Sequence, residues 1–361
     1  MAGPRPRDSL RFEMEPLSDQ LANAGAEHMI LWRDPSSGLE AVLVLDDLTL
    51  GPAAGGIRTW KYPSLEAAAT DALRLAKAMT LKCALSGLDA GGGKAVILEH
   101  SGLDRRRAFE VVGHKIESLG GLFRTAGDLG TTAADLEIVA RKTRFVHLGE
   151  HDLASAVARS ALRAIEATCA ILDGTPHAVS ARLDGRTVAV QGAGMIGRAV
   201  AEALALAGAR VTIADVDAEK AASVAQAIGA TVVSPGDILD QAVDILAPCA
   251  VGGVIDAKNA ATLRCRAVVG AANNVLASEE AAVILASRKI PCVPDFIASA
   301  GAVIDGIGAS VMGLRDRTDL IDRLGGVTYQ VLKEAQETGA LPARIAEHRA
   351  RQRIAHARAT P

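Results

Sequence analysis

Residues 187–215 read TVAVQGAGMIGRAVAEALALAGARVTIAD, and this stretch decides the fold. A β-branched strand, Thr187–Gln191, runs into Gly192. A helix follows over Met195–Ala207, and a second strand, Arg210–Ala214, ends on Asp215. Gly192 suits a tight turn, Gly194 lets the backbone approach a pyrophosphate, and Gly197 lets the helix pack closely on the strand. With Ala193, Met195 and Ile196 these glycines form a loop that presents the free N–H groups and positive end of a helix to phosphate. Asp215 lies 18 residues after Gly197, where a carboxylate accepts from a ribose 2′-OH and repels a 2′-phosphate. No Arg follows it immediately, so NAD is favoured over NADP. A glycine triplet alone is a weak signal; strand, helix, second strand and acid together are specific.

The pattern continues outward. Apolar runs at Ala230–Val233, Val243–Ala247 and Ala267–Gly270 alternate with helical segments, which indicates a parallel, doubly wound sheet. The first part of the chain reads differently. Residues 1–20 look like a loosely held arm. Strands are expected over Met29–Arg33 and Ala41–Leu45 around a turn at Asp34–Gly38, then a Gly/Ala bend over Gly51–Gly56. Ser64 caps a long helix from Leu65 to about Thr80, Gly91–Gly93 feed a strand over Ala95–Leu98, and a helix covers Arg105–Leu119. This part is α/β with mixed strands. From about Arg317 the chain is helical and Arg-rich, which reads as a solvated helix face.

The 361 residues suggest two domains. Aromatics are only 2%, so small aliphatic side chains must build the core. A net charge of −3 argues against a strongly basic nucleic-acid or membrane-surface protein. No run approaches the roughly 18 apolar residues of a membrane span. Neither nucleic acid nor membrane is expected as a partner. The five cysteines (Cys83, Cys169, Cys249, Cys265, Cys292) are far apart, with no zinc-like spacing, and read as reduced thiols of a cytoplasmic protein.

Lysines are scarce, and two stand in unusual contexts. Lys82 lies in MTLKC just past the long helix, and Lys94 follows three glycines in GLDAGGGKAV. A glycine run lets a ligand come close to the backbone. A lysine in a dry crevice beside a second cation has a lowered pKa and serves as a base near neutral pH, while the other cation clamps a carboxylate. Asp128, in TAGDLGTT, supplies a carboxylate on a glycine-flanked loop.

Seven runs carry a resemblance: LGPAAGGIR (50–58), DALRLAKAMTLKCALSGLDAGGGKAVI (71–97), TAGDLGTT (125–132), VQGAGMIG (190–197), DILAPCAVGGVI (244–255), VVGAANNVLA (268–277) and PDFIASAGAVI (294–304). In this order they resemble the Glu/Leu/Phe/Val amino acid dehydrogenase family, on its leucine, valine and phenylalanine side. The resemblance implies NAD-dependent oxidative deamination of an L-amino acid to a 2-oxo acid and ammonia, and the reverse amination. By the same match, Lys82 holds the substrate carboxylate, together with the Gly55–Gly56 backbone. Lys94 activates water, Asp128 relays protons at the substrate nitrogen, and Asn274 contacts substrate. Asn273, Ala247 and Cys249 fall on the cofactor side.

The family fold implies two domains, with the active site in the cleft between them. Residues 1–148 plus 316–361 would form an α/β substrate domain with a mixed sheet. Residues 149–315 would form a Rossmann-type NAD-binding domain. A homo-oligomer, dimer or octamer, is expected.

Two segments depart from the family. Relatives end a Gly/Ser-rich stretch on a hydroxyl residue; here GEHDLASAVARSAL (149–162) puts Val157 at that position, with Ser155 and Ser160 nearby. Relatives carry Asn-Ala-Gly-Gly where this chain has Ser299, Ala300, Gly301 and Ala302. These departures motivate two alternatives: a same-fold NAD(H)-dependent dehydrogenase or imine reductase acting on a non-standard amine or oxo acid, and a non-catalytic NAD-binding relative. Ala54 and Gly306 stand where leucine-type enzymes carry larger apolar residues, which leans the substrate towards a bulky or aromatic side chain.

Overall fold

The computed structural model describes residues 15–148, 153–178 and 181–360. The chain builds two five-stranded sheets. The first contains β1 (His28–Asp34), β2 (Leu39–Asp47), β3 (Ala53–Trp60), β4 (Gly91–Leu98) and β5 (Phe123–Gly127), in the order β1-β2-β4-β3-β5. It is mixed: β1, β2 and β4 pair antiparallel, while β3 runs parallel to both β4 and β5. The second contains β6 (Thr187–Gln191), β7 (Arg210–Ala214), β8 (Thr231–Val232), β9 (Ile245–Pro248) and β10 (Ala267–Val268), in the order β10-β9-β6-β7-β8. It is parallel throughout.

The helices are α1 (Leu17–Ala24), α2 (Leu65–Leu85), α3 (Arg105–Ser118), α4 (Ala133–Ala140), α5 (Leu153–Asp173), α6 (Met195–Leu206), α7 (Ala218–Ile228), α8 (Ala257–Ala260), α9 (Glu279–Ser287), α10 (Asp295–Ala298), α11 (Gly301–Met312), α12 (Thr318–Thr338) and α13 (Pro342–Ala359). Strand periodicity sorts side chains onto the two faces of the first sheet. Leu43, Leu45, Ala95 and Ile97 pack with Phe109 and Val112 of α3 and Val139 of α4. Val42, Val44 and Val96 pack with Ala69, Ala72 and Ala76 of α2. The same alternation puts Lys94, two residues before Val96, on the α2 face. Arg58 is there too, since its neighbour Ile57 points to the α3 face.

Four expectations are corrected. The bend expected over residues 51–56 is confined to Gly51 and Pro52: Ala53–Gly56 open β3, a strand between two neighbours. Part of the expected arm is helical; α1 docks on α2 through Leu17 and Leu21, with the Thr70 hydroxyl donating to Gln20. Residues 1–14 lie outside the described residues. Helix α2 runs to Leu85, so Lys82 sits in its last turn and not beyond it. The glycine run, finally, serves packing. A Cβ on Gly92 would lie 2.2 Å from the Ala76 carbonyl oxygen and the Thr80 nitrogen, so glycine there lets α2 press onto β4.

The two units are tied by the C-terminal helices. Helix α12 packs on α5, and α13 returns to α2. The arginines of α13 are fasteners as well as a solvated face. Arg353 donates to the Cys83 and Ala84 carbonyls at the C-terminal end of α2 and pairs with Asp89, and Arg358 pairs with Asp47. A cation at the C-terminus of a helix also complements its dipole.

Candidate active site

Helix α2 and strands β3 and β4 converge on one cluster of charge, closed by the loop after β5. Lys94, only 5% exposed, places its Nζ 3.0 Å from Asp128 Oδ2. Arg58 of β3 donates from Nε to the same oxygen at 2.7 Å, and from Nη1 to Asp71 of α2 at 2.9 Å. The Tyr62 hydroxyl donates to Asp71 at 2.6 Å. The close approach of β3 needs Gly55 and Gly56. A Cβ on Gly55 would strike the Gly93 carbonyl, and one on Gly56 would lie 2.9 Å from the Asp128 Cβ.

This arrangement sets the charges. Burial lowers the Lys94 ammonium from the ordinary lysine range; Asp128 opposes the shift, while Arg58 and Lys82 add to it. Burial pushes the Asp128 carboxyl up, but Lys94 and Arg58 outweigh it and hold the group below the usual carboxylate range. Burial and the bond to Asp71 push Tyr62 up to about 12. The site thus holds a carboxylate kept in its ionised form against a lysine whose charged form burial disfavours.

Lys82 faces the second unit. Its Nζ donates to Ser299 Oγ at 3.1 Å, and Ser299 Oγ donates to the Asp295 carbonyl at 2.7 Å. The Asp295 carboxylate accepts from the Asn274 N–H at 3.0 Å. Burial lowers Lys82 as well, against the pull of Asp295 and Asp128. Lys82, Lys94 and Asp128 therefore share one electrostatic neighbourhood, bridged to the segment that carries Asn274. That residue takes a left-handed backbone, φ 52°, which asparagine tolerates, and both Asn273 and Asn274 are exposed.

The glycine-rich loop fits a dinucleotide. Gly192 has φ 106°, and a Cβ there would lie 2.7 Å from the Ala250 Cβ. A Cβ on Gly197 would lie 2.0 Å from the Gly192 carbonyl oxygen. Gly194 differs: a Cβ there would meet nothing within 4 Å. It caps α6 without a side-chain hydrogen bond, so the first-turn N–H groups at Met195 and Ile196 are open to a ligand. Asp215 Oδ2 accepts from the Ala193 N–H at 2.6 Å and Oδ1 from the Asp217 N–H at 2.8 Å, which fixes this carboxylate beside the loop. A cavity of about 340 Å³ lies here, lined by Ala193, Arg198, Asp217 and Lys220.

Cys249 packs against Gly197 and donates its N–H to the Gln191 carbonyl; burial pushes its thiol up to about 12. Ala247 is fully buried within β9, so its side chain belongs to the core.

Some partners were not assigned from sequence. Arg58 and Asp295 stand inside quoted motifs, yet their contacts span 70 and 21 residues. An arginine beside buried small residues on β3 was the available signal. Ser160 serves the packing. Its hydroxyl donates to the Ala298 carbonyl at 2.7 Å and accepts from the Gly301 N–H, holding α5 against the turn at 298–301. Val157 is buried and Ser155 exposed, while residues 149–152 of that segment lie outside the described residues.

Comparison with known proteins gives one answer along the chain. Residues 27–145 match the Glu/Leu/Phe/Val dehydrogenase dimerisation domain, and residues 213–357 match the Glutamate/Leucine/Phenylalanine/Valine dehydrogenase domain. Residues 155–269 also match the NAD binding domain of D-isomer specific 2-hydroxyacid dehydrogenases. Leucine dehydrogenase from Thermoactinomyces intermedius is 35% identical over 352 residues, covering 95% of this chain and 94% of that one. Phenylalanine dehydrogenase from Lysinibacillus sphaericus is 38% identical over 293 residues, covering 78% and 76%. The crystal structure of L-tryptophan dehydrogenase from Nostoc punctiforme superposes with a TM-score of 0.85 at 30% identity, covering 95% of this chain and all of that one. The chain belongs to the Glu/Leu/Phe/Val dehydrogenase family, on its leucine and phenylalanine side, and is an NAD-dependent oxidoreductase that acts on the CH–NH2 group of an amino acid.

Proposed function

We propose that Lys94, Asp128 and Lys82 divide the chemistry of oxidative deamination among them, on an L-amino acid with a bulky or aromatic apolar side chain. The single observation that carries this reading is the buried Lys94–Asp128 pair at 3.0 Å, with Arg58 bonded to the same carboxylate oxygen and Lys82 of α2 in the same electrostatic neighbourhood. NAD, when bound, accepts the two electrons that leave the substrate α-carbon.

The chain's own groups do the rest. Lys82 pairs with the substrate carboxylate, and Ser299 keeps its ammonium aimed at the cleft. The Gly55–Gly56 backbone and Asn274 complete the grip on substrate. Once the amine is oxidised to an imine, Lys94 takes a proton from water as its oxygen bonds to the imino carbon. Asp128, ionised in the free site, takes a proton from the substrate ammonium before oxidation and then returns it to the nitrogen of the adduct; the C–N bond breaks as the adduct's hydroxyl gives its proton to Asp128, and ammonia and the 2-oxo acid leave. A base contributes roughly 10²–10⁴-fold in such a step when its pKa lies near the working pH.

The cofactor is held by the loop from Gly192 to Gly197, by Asp215 at the ribose, and by the wall formed by Cys249 and Asn273. We assign residues 1–148 with 316–361 to the substrate domain and 149–315 to the cofactor domain. The return of α13 to α2 supports the discontinuous assignment, although α12 rests on α5. The match of residues 27–145 to a dimerisation domain supports a homo-oligomer. Five free thiols suit the cytoplasm.

The test is NADH formation at alkaline pH across the common L-amino acids, with Lys94→Ala as control. Turnover by the wild type that falls at least 100-fold in the variant is expected. Equal turnover by the two proteins would remove Lys94 from the mechanism.

A further inference from the structure

Strand register sets Arg58 beside Asp128. β3 and β5 run parallel with Ile57 opposite Gly127, so the next residue of each chain segment, Arg58 and Asp128, follow side by side. Arg58 also lies on the face covered by α2, which carries Asp71. Its side chain, 18% exposed, bridges the two acids: Nε donates to Asp128 Oδ2 at 2.7 Å and Nη1 to Asp71 Oδ2 at 2.9 Å.

Four carboxylate oxygens belong to the acids joined by this arginine, and three of them are engaged. Asp71 Oδ2 accepts from Arg58 and, at 2.6 Å, from the Tyr62 hydroxyl, while Asp71 Oδ1 accepts from Arg74 Nη2 at 2.8 Å. Asp128 Oδ2 holds Arg58 Nε and, at 3.0 Å, the Lys94 ammonium. Among the described residues no hydrogen bond reaches Asp128 Oδ1. The Asp128 side chain is 25% exposed, so this carboxylate is not sealed in. A carboxylate oxygen offers about two acceptor sites; on Oδ2 the protein's own cations take them, and on Oδ1 they stay open.

The far end of the bridge is fixed. Burial pushes the Asp71 carboxyl up, but Tyr62, Arg74 and Arg58 outweigh it and hold the group below the usual carboxylate range. Tyr62, pushed up to about 12, keeps its proton and remains a donor. Arg58 is thus anchored on a standing anion and reaches Asp128 with the other edge of a rigid, planar fork.

We propose that Arg58 is a positioning residue for Asp128: with Lys94 it pins Oδ2 and leaves Oδ1 as the oxygen that exchanges a proton with the substrate nitrogen, while Asp71 and Tyr62 hold Arg58 from behind. This rests on the reading of Asp128 given above and deepens it. Oδ1 takes the proton as an N–H bond of the substrate ammonium breaks, and gives it back to the nitrogen of the adduct. A proton on Oδ2 would instead face a guanidinium and an ammonium, two groups that only donate. The competing account is that Arg58 merely ties β3 to α2 and to the loop after β5, in which case its loss shows in stability alone.

The experiment measures kcat and KM against pH on the best amino acid substrate, with urea unfolding alongside, for the wild type, Arg58→Lys, Arg58→Gln, Asp71→Asn and Asp128→Asn. Arg58→Lys keeps the charge and loses the fork, since one ammonium cannot serve both acids. Its kcat is expected to fall at least about tenfold, because a misaimed Oδ1 no longer meets the nitrogen. Its KM moves less than about threefold, since substrate binding is left to other groups. The rising limb of kcat/KM stays in place in Arg58→Lys and moves to higher pH in Arg58→Gln, because Lys94 is faced by Asp128, Arg58 and Lys82 and only the second variant removes one of these charges. Asp71→Asn keeps the size of the anchor and removes its charge, and lowers kcat at least about threefold. A folded Arg58→Lys with wild-type kcat, or with a loss confined to KM, overturns the proposal; should that variant not fold, wild-type kcat in Asp71→Asn does so. Asp128→Asn is expected to lose at least about 100-fold in kcat. Wild-type kcat there overturns the role given to Asp128 and the proposal with it, whereas a dead Asp128→Asn beside a fully active Arg58→Lys sinks the proposal alone.

Discussion

Glycine does opposite work around Lys94 and at the start of α6. In the first, Gly55, Gly91 and Gly92 are each filled against by backbone: a Cβ would lie between 1.7 and 2.2 Å from a carbonyl oxygen of a neighbouring segment. These glycines let α2 and β3 close on β4, and that closeness brings Lys94, Arg58 and Asp128 within hydrogen-bond range. In the second unit, Gly194 faces open space at the bare N-terminus of α6. The first set is spent on contact inside the protein, as are Gly192 and Gly197 in the second unit, while Gly194 is left open to a ligand. A glycine-rich run near a functional lysine is therefore not by itself a ligand cradle; what surrounds the missing Cβ decides.

The contrast breaks most visibly at Gly92. Gly92→Ala is expected to cost about 3 kcal/mol of stability, because the clash is with the backbone of α2 and no side chain can yield. Urea unfolding measures it, and a loss under 1 kcal/mol would show that α2 can shift freely. Gly194→Ala is expected to leave the urea midpoint unchanged and to weaken NAD about tenfold, some 1.4 kcal/mol, by titration of bound cofactor. Unchanged NAD affinity would mean that the pyrophosphate does not approach this atom.

Arg58→Gln probes the electrostatics that the close packing creates. Arg58 lowers Lys94, so its removal raises the lysine pKa. Lys94 must be neutral to take a proton from water, so the rising limb of the kcat/KM profile for deamination moves to higher pH. A limb that stays in place would assign it to another group. The smallest effect is expected at Arg353→Ala, which removes the cation from the carbonyl end of α2 and should cost about 1 kcal/mol in thermal or urea unfolding.

The sequence made the second unit far more readable than the first. From Thr187 to Asp215 the strand, turn, helix and strand are local, and each glycine or acid acts on residues close by in the chain. The observed elements there lie within a residue or so of those expected. In the first unit β3 escaped notice because Ala53-Ala54-Gly55-Gly56 has little intrinsic strand preference; it is a strand because β4 and β5 pair with it on either side. β5 is short, and nothing local marks Phe123–Gly127 as a sheet edge. Lys82, Lys94 and Asp128 stood out by context and by resemblance. Ser299 was visible only as a departure, because its contact with Lys82 joins residues 217 apart. Side-chain partners of that kind are products of tertiary packing.

The division of labour between the two lysines is the claim on which the account stands, and the kinetics of Lys82→Ala and Lys94→Ala, measured side by side on the best amino acid substrate, test it most directly. The account predicts that Lys82→Ala raises KM at least tenfold, through loss of the carboxylate clamp. It predicts that Lys94→Ala lowers kcat by roughly 10²–10⁴, through loss of the base. A Lys94→Ala variant that changes KM alone while kcat holds, or a Lys82→Ala variant that loses kcat with KM unmoved, would contradict it.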